Sequence, residues 1–383
     1  MKLFKIFVKA SRRQSRNRVP FLFSITSRSF SQLRSHSERP PFGIAFDIDG
    51  VILRGNTPIG GSPQALRRLY NECGTLKIPY VFLTNGGGVR ESKRAFELSK
   101  LLGVNILPSQ VIQGHSLFKQ LVNRFENELI IAVGKGEPAA VMSEYGFKNV
   151  LSIDEYASYF DNIDPLAQYK KWTTKQHSLS ADSVDWSRDI QVLCDILRTG
   201  GLPGREVAHQ PPLYFANDDL EYQAIFPSER LGMGAFRIAL ESIFNRIHPN
   251  ALEYTSFGKP NPSVFKNAET VLMQHAPSPY HNLQVVNHAH GGDHIFKTLY
   301  MIGDNPSVDI KGAQQAGHPW FSVLTRTGVF KGKENHAEYP ADLFGLFLLL
   351  HHLLSLPLFV AMCRASLHRH KKNSVNHSNA RTI

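Results

Sequence analysis

The sequence predicts an α/β fold with a parallel sheet covered by helices. Three observations predict it. The runs Phe42 to Asp47 and Thr298 to Asp304 are unbroken apolar stretches ending in an acid, as expected of strands buried on both faces. Strand-like and helix-like stretches alternate between them. No internal repeat competes with that reading.

The elements follow in order. After the strand from Phe42 comes a helical stretch near Pro63 to Glu72. A second strand covers Pro79 to Asn85 and is closed by Gly86-Gly87-Gly88. A helix spans roughly Arg90 to Leu102. Leu129 to Gly134 reads as a strand, followed by a helix to about Tyr145. Ile190 to Leu193 and Leu213 to Ala216 read as further strands, and Phe236 to Phe244 as a helix. Residues 274–297 are rich in His, Pro, Asn and Gly and read as a loop insertion. Within it, His288, His290, Asp293 and His294 are metal-capable residues but read as part of a solvated loop. Gly232-Met233-Gly234 reads as a packing turn before a helix.

The chain has 383 residues and a formal net charge of +11. Residues 1–37 hold nine Lys/Arg and eight Ser with no acid, and residues 364–383 hold five Lys/Arg with no acid. The body between them carries 29 Lys/Arg against 32 Asp/Glu. A slightly acidic body lacks the broad basic footprint of a nucleic-acid binder. Three widely spaced cysteines, Cys73, Cys194 and Cys363, give neither a disulfide framework nor a zinc motif. The Arg- and Ser-rich, acid-free first 37 residues read as a disordered targeting presequence for mitochondrial import, with a plastid as the alternative. Leu343 to Cys363 is free of Asp, Glu, Lys and Arg and long enough to span a bilayer, but His351, His352 and Pro357 weaken that reading. Membrane contact through 343–363 is therefore not the favoured expectation. Residues 343–383 read as an atypical hydrophobic, then basic, tail.

The chemistry centres on Asp47-Ile48-Asp49-Gly50. Alternation along an extended segment puts the carboxylates of Asp47 and Asp49 on one side. Two such groups at a strand end call for a divalent cation or a shared proton. Val51 stands where an EF-hand loop would need another oxygen ligand. Thr84, Lys259 in Phe257-Gly258-Lys259-Pro260, and Asp304 with Asp309 five residues on sit at comparable strand or loop ends. Ligands of open α/β sheets bind beyond the carboxyl ends of the strands. Carboxylates there can hold Mg²⁺, and a hydroxyl and an ammonium can hold phosphoryl oxygens. No P-loop, H-E-x-x-H or G-x-S-x-G motif is present.

In this order, Asp47-x-Asp49, Thr84, Lys259 and Gly303-Asp304-x4-Asp309 resemble the four motifs of the haloacid dehalogenase-like (HAD) phosphohydrolases. The long segment between the second and third motifs is similar to the α/β cap of class IIA. The run Asp185-Trp186-x3-Ile190-Gln191-Val192-Leu193-x-Asp195 and the three glycines resemble the mitochondrial branch typified by cat eye syndrome critical region protein 5. The resemblance implies a Rossmannoid core, a parallel sheet with helices on both faces, over 38–126 and 231–342. It implies an inserted cap over 127–230.

It also implies roles. Asp47 is the nucleophile and Asp49 the general acid and base. Thr84, with Asn85 beside it, and Lys259 bind phosphate. Mg²⁺ sits on Asp47, the Asp49 backbone carbonyl and Asp304, with Asp309 near its shell. Asp195, Asn217 and Asp218 match acidic positions of related caps and are substrate candidates. The implied activity is Mg²⁺-dependent hydrolysis of a small-molecule phosphate ester in the mitochondrial matrix, with a link to glycerophospholipid metabolism. A non-catalytic binding or scaffold protein and a membrane-attached accessory protein are the alternatives. Oligomeric state is not legible in the sequence.

Overall fold

The structure is a computed structural model, and it describes residues 42–167, 185–204, 208–276 and 296–345. The targeting reading of 1–37, the His-rich part of the insertion and residues 346–383 lie outside them. Among the described residues, no helix is long and apolar enough to cross a membrane.

The first core segment runs β1 (Phe42–Phe46), β2 (Leu53–Arg54), β3 (Thr57–Pro58), α1 (Ser62–Arg67), β4 (Tyr80–Leu83), α2 (Glu91–Leu102) and β5 (Val111–Ile112). A 3-10 segment, Gly114–Leu121, and α3 (Val122–Phe125) lead outward. The intervening layer holds β6 (Leu129–Ala132), α4 (Pro138–Tyr145), β7 (Asn149–Ser152), α5 (Ile153–Ser158), α6 (Trp186–Thr199), β8 (Tyr214–Phe215), β9 (Glu221–Tyr222), β10 (Arg230–Leu231), α7 (Met233–Ile247) and β11 (Thr255–Ser256). The core resumes with α8 (Pro262–Gln274), β12 (Thr298–Gly303), a π turn (Pro306–Ile310), α9 (Lys311–Ala316), β13 (Trp320–Leu324) and β14 (Leu343–Phe344).

The central sheet has the order β14-β13-β12-β1-β4-β5, and every neighbouring pair is parallel. Alternation along each strand supplies two apolar faces. Phe42, Ile44 and Phe46 of β1, Tyr80 and Phe82 of β4, and Tyr300 and Ile302 of β12 enter one cluster with Ala65 and Leu66 of α1 and Ala95 and Leu98 of α2. Ala45, Val81, Leu83, Leu299 and Met301 enter the other, against Val264, Phe265, Ala268 and Leu272 of α8. Helices therefore cover both faces, as runs apolar at every position require. The sheet places the ends of β1, β4 and β12 side by side.

Two expectations need correction. Ile190 to Leu193 is not a strand but lies within α6, capped by Asp185, whose side chain accepts the Arg188 N–H. Its apolar positions continue as Val192, Leu193, Ile196 and Leu197, a helical stripe that buries one face. A four-residue apolar run cannot separate the two periods by itself. The second correction concerns the segment from residue 231. Phe236, Leu240 and Phe244 of α7, with Leu252, pack in one cluster with Ile153 of α5, with Val192 and Leu197 of α6, and with Phe215. Helix α7 is thus part of the intervening layer, and the layer extends past residue 230 through β11, which pairs with β8. Gly232 and Gly234 let the start of α7 press on the carbonyls of Asp219 and Asp218, where a Cβ has no room.

The first residues of the hydrophobic tail belong to the central sheet. Leu343 and Phe344 form the edge strand β14 on β13. Phe344 and Phe330 meet edge to face at 5.9 Å. Asp342 accepts hydrogen bonds from the Ser322 N–H and hydroxyl.

Truncating Phe244, which is fully buried, tests the assignment of α7. Phe244→Ala should cost about 3–5 kcal/mol of stability in urea unfolding, whereas a helix lying loosely outside the cluster would lose far less.

Candidate active site

Each predicted catalytic position lies at the carboxyl end of a strand or at the return from the cap. Asp47 follows β1, and its N–H donates to the Ile302 carbonyl of β12 at 2.9 Å. Thr84 follows β4 and is 4% exposed. Asp304 follows β12. Lys259 follows β11, and its N–H donates to Asn85 Oδ1 at 2.8 Å while Asn85 Nδ2 donates to the Lys259 carbonyl at 2.9 Å. Asn85 thereby fixes the lysine backbone against the end of β4.

The Lys259 ammonium is the centre of the arrangement. It donates to Asp47 Oδ1 at 2.7 Å and to Asp309 Oδ1 at 2.6 Å. Asp309 Oδ2 accepts the N–H groups of Asp304 at 3.1 Å and Asn305 at 3.0 Å. Both Asp309 oxygens are therefore engaged, and the residue orders its neighbours. Asp304 Oδ2 accepts the Val329 N–H at 2.5 Å. Carboxylate oxygens of Asp47, Asp304 and Asp309 lie within 4.8 Å of one another, all three buried.

Asp49 lies beside Gly86. A Cβ on Gly86 would sit 3.3 Å from Asp49 Oδ2 and 3.1 Å from Thr84 Oγ1, so that glycine marks where the two groups converge. Gly50, Gly303 and Gly328 each abut an acid of the cluster, and none has room for a side chain.

The cap candidates separate. Asn217 Nδ2 donates to the Asn85 carbonyl at 2.9 Å and so joins the site. Asp218 turns away into an ion pair with Arg237 of α7 at 2.5 Å. Asp195 takes its hydrogen bonds from Gln191 and Thr199 of its own helix. Neither Asp195 nor Asp218 bonds to the acid cluster.

The comparisons bear on what this arrangement is. The sequence model described as "Haloacid dehalogenase-like hydrolase" matches residues 44–148, and that described as "HAD-hydrolase-like" matches 256–345. A mitochondrial hydrolase of Saccharomyces cerevisiae is 33% identical over 77% of this chain and 89% of its own length. The chain belongs to the haloacid dehalogenase-like hydrolase family. A Schizosaccharomyces pombe protein described as a fusion of cardiolipin synthase (CMP-forming) and a mitochondrial hydrolase is 30% identical over 78% of this chain, which matches 50% of that protein. The fold is also that of a glycerol phosphate phosphatase from Mycobacterium tuberculosis, solved with magnesium and also with calcium. With the magnesium complex the TM-score is 0.51 at 18% identity, covering 82% of this chain and 77% of the other.

The electrostatics of this hydrolase fit a hard cation. Burial raises the Asp47 pKa well above the carboxylate range; Lys259 opposes the shift, and Asp309 and Asp304 reinforce it. Burial, then Asp309, pushes Asp304 up to about 7. Burial also works against the Lys259 charge, but Asp309 and Asp47 outweigh it and raise its pKa. Three clustered carboxylates thus share one ammonium. Asp47 Oδ2 and Asp304 Oδ1 have no protein donor among the described residues. An all-oxygen donor set with surplus negative charge suits Mg²⁺ or Ca²⁺.

Sequence reasoning missed Asp219. Its Oδ1 accepts from Asn85 Nδ2 at 2.8 Å, and burial pushes its pKa up to about 7. No local pattern separates it from Asp218, because 217–219 lie outside any helix or strand and the two acids are sorted by Arg237 and Asn85. It also missed Gly328 and the Val329 N–H, which carry no sequence signature.

A raised acid pKa means the folded chain keeps a proton that the unfolded chain has released. The associated stability is complete below the ordinary 3.8 and is lost as pH climbs to about 7. Asp219→Asn keeps the Asn85 hydrogen bond without the charge. In urea unfolding with a chelator present, it should be more stable than the parent by roughly 1–3 kcal/mol near pH 8, a gap that closes toward about pH 4.

Proposed function

We propose that this hydrolase is a Mg²⁺-dependent phosphatase that cleaves a small phosphate monoester through an aspartyl-phosphate on Asp47. The observation that carries the proposal is the Lys259 ammonium held between Asp47 and Asp309. It leaves Asp47 one carboxylate oxygen without a protein donor, and one ammonium N–H beyond the two that are engaged.

In the first step the free Asp47 oxygen attacks phosphorus as the ester P–O bond breaks. Asp49 gives its proton to the departing oxygen. Burial raises the Asp49 pKa, which favours the protonated form needed there. In the second step Asp49 takes a proton from water, the water oxygen bonds to phosphorus, and the P–O bond to Asp47 breaks. Inorganic phosphate and free Asp47 result. The Thr84 hydroxyl and the remaining Lys259 N–H hold the transferring oxygens. Asp47, Asp304 and the Asp49 backbone carbonyl would hold Mg²⁺, whose charge would ease the approach of one anion to another. Asp309 contributes by fixing Lys259 and the Asp304 loop.

The yeast relatives described as mitochondrial hydrolases, together with the acid-free first 37 residues, support a mitochondrial protein, with the matrix as its compartment. The fusion with cardiolipin synthase supports a substrate near glycerophospholipid metabolism, of the glycerol-phosphate or lipid-headgroup kind.

Phosphate release from a panel of organic phosphates, with and without Mg²⁺, tests the proposal. Asp47→Asn should lower release at least about 10³-fold while orthovanadate or phosphate binding survives. Undiminished turnover in that variant would refute the aspartyl-phosphate route.

A further inference from the structure

Asp49 gives a proton and later takes one, so its work depends on where its carboxyl group points. Among the described residues, no protein group donates a hydrogen bond to that carboxylate. Its direction is therefore set by the backbone turn that carries it. The turn is tight. The Ile52 and Leu53 N–H groups both donate to the Ile48 carbonyl at 2.9 Å, and the Gly50 N–H donates to the Leu53 carbonyl at 2.8 Å. A Cβ on Gly50 would sit 2.8 Å from the Gly328 Cα, so the turn is pressed against the loop after β13. One polar group of the turn points out of it, the Gly50 carbonyl.

Thr327 holds that carbonyl. Its hydroxyl donates to the Gly50 oxygen across 277 residues of sequence. It is the single donor that reaches this oxygen among the described residues. Thr327 is buried, and its own place is fixed from two sides. Its Oγ1 lies 3.0 Å from the Oγ1 of Thr325, also buried, whose N–H donates to the Gly303 carbonyl of β12 at 2.8 Å. Arg54 Nη2 of β2 donates to the Thr327 carbonyl at 2.9 Å. In the sheet, β12 stands between β13 and β1. The loop after β13 thus crosses the end of β12 and finishes on the turn of Asp49. A carbonyl shut away from water in this way depends on its one donor.

We propose that Thr327 is a positioning residue for the reaction: by holding the Gly50 carbonyl, it keeps the Asp49 carboxyl group aimed at the departing oxygen. This rests on the phosphatase reading above. The aim matters unequally among esters. A leaving group that must collect a proton as it departs needs Asp49 in place, whereas one that departs as a stable anion does not.

The test compares phenyl phosphate with 4-nitrophenyl phosphate, two esters of nearly the same shape. 4-Nitrophenolate is a stable anion, and phenolate is the one that needs the proton. The full-length protein is assayed with Mg²⁺, and the quantity read is kcat/KM for phenyl phosphate divided by that for 4-nitrophenyl phosphate. kcat/KM covers the steps up to departure of the phenol, so the later hydrolysis does not mask the effect. A ratio taken within one preparation is also independent of how much of the protein is folded. Asp49→Asn sets the full size of the effect. Thr327→Val keeps the shape and removes the donor; it should lower the ratio about tenfold, as a small misplacement of a reacting group does. Thr327→Ala should act in the same sense, and Thr327→Ser should retain most of the parent ratio. A loop that had merely loosened would slow both esters alike. Equal loss on both esters, or no loss, in Thr327→Val and Thr327→Ala overturns the proposal when Asp49→Asn lowers the ratio. A Thr327→Ser ratio no better than that of Thr327→Val overturns it too. If Asp49→Asn leaves the ratio unchanged, or Asp47→Asn does not diminish release, the phosphatase reading falls and this proposal with it.

Discussion

One buried ammonium organises the site. Lys259 bonds Asp47 after β1 and Asp309 in the π turn, while its own backbone is held by Asn85 after β4. Asp309 passes the constraint to the amides of Asp304 and Asn305 after β12. The ends of three strands and the exit from the cap are pinned by a single charged side chain. Without it, three buried carboxylates would face one another with no cation, a cost of several kcal/mol. The same charge that makes the fold affordable also holds the proposed nucleophile in one rotamer, so binding and folding draw on the same contacts.

Space is the second constraint, and it is supplied by residues that carry no chemistry. Gly303 admits the Asp309 side chain, and Gly50 and Gly328 close on Asp304 from two sides. Gly50 also requires a positive φ, 87°, which an L side chain rarely adopts. The carboxylates can approach one another because the backbone around them has been stripped of side chains. Packing at this density explains why the acids are buried even though the site opens at strand ends.

The legibility of this chain follows the range of the forces involved. Asp47, Asp49, Thr84, Lys259, Asp304 and Asp309 could be read because each is set by a strand end or a short loop, and strand ends are local features. The central strands could be read because burial on both faces leaves no polar alternation. Ile190 to Leu193 could not, because a short apolar run fits either period until its neighbours are seen to pack. The extent of the cap could not be read either: whether α7 faces Val192 or the central sheet depends on contacts between distant segments. Asp219 could not be told from Asp218 for a similar reason. Arg237, nineteen residues on, claims Asp218 and leaves Asp219 to Asn85.

The pairing of β1 with β12 sets an order on folding. Phe42 finds its partner in Thr298, and Phe46 in Ile302, so the middle of the sheet cannot close until most of the chain is present. The cap layer, from β6 to β11, is continuous in sequence and has its own apolar cluster, so it can consolidate first. Meanwhile β1 and β4, apolar on both faces, wait with an open hydrogen-bonding edge. Such an edge is a template for aggregation. A chain emerging N-terminus first, from a ribosome or through a membrane pore, would hold that edge open until the residues beyond 298 arrive, a window in which chaperone binding would matter more than native stability.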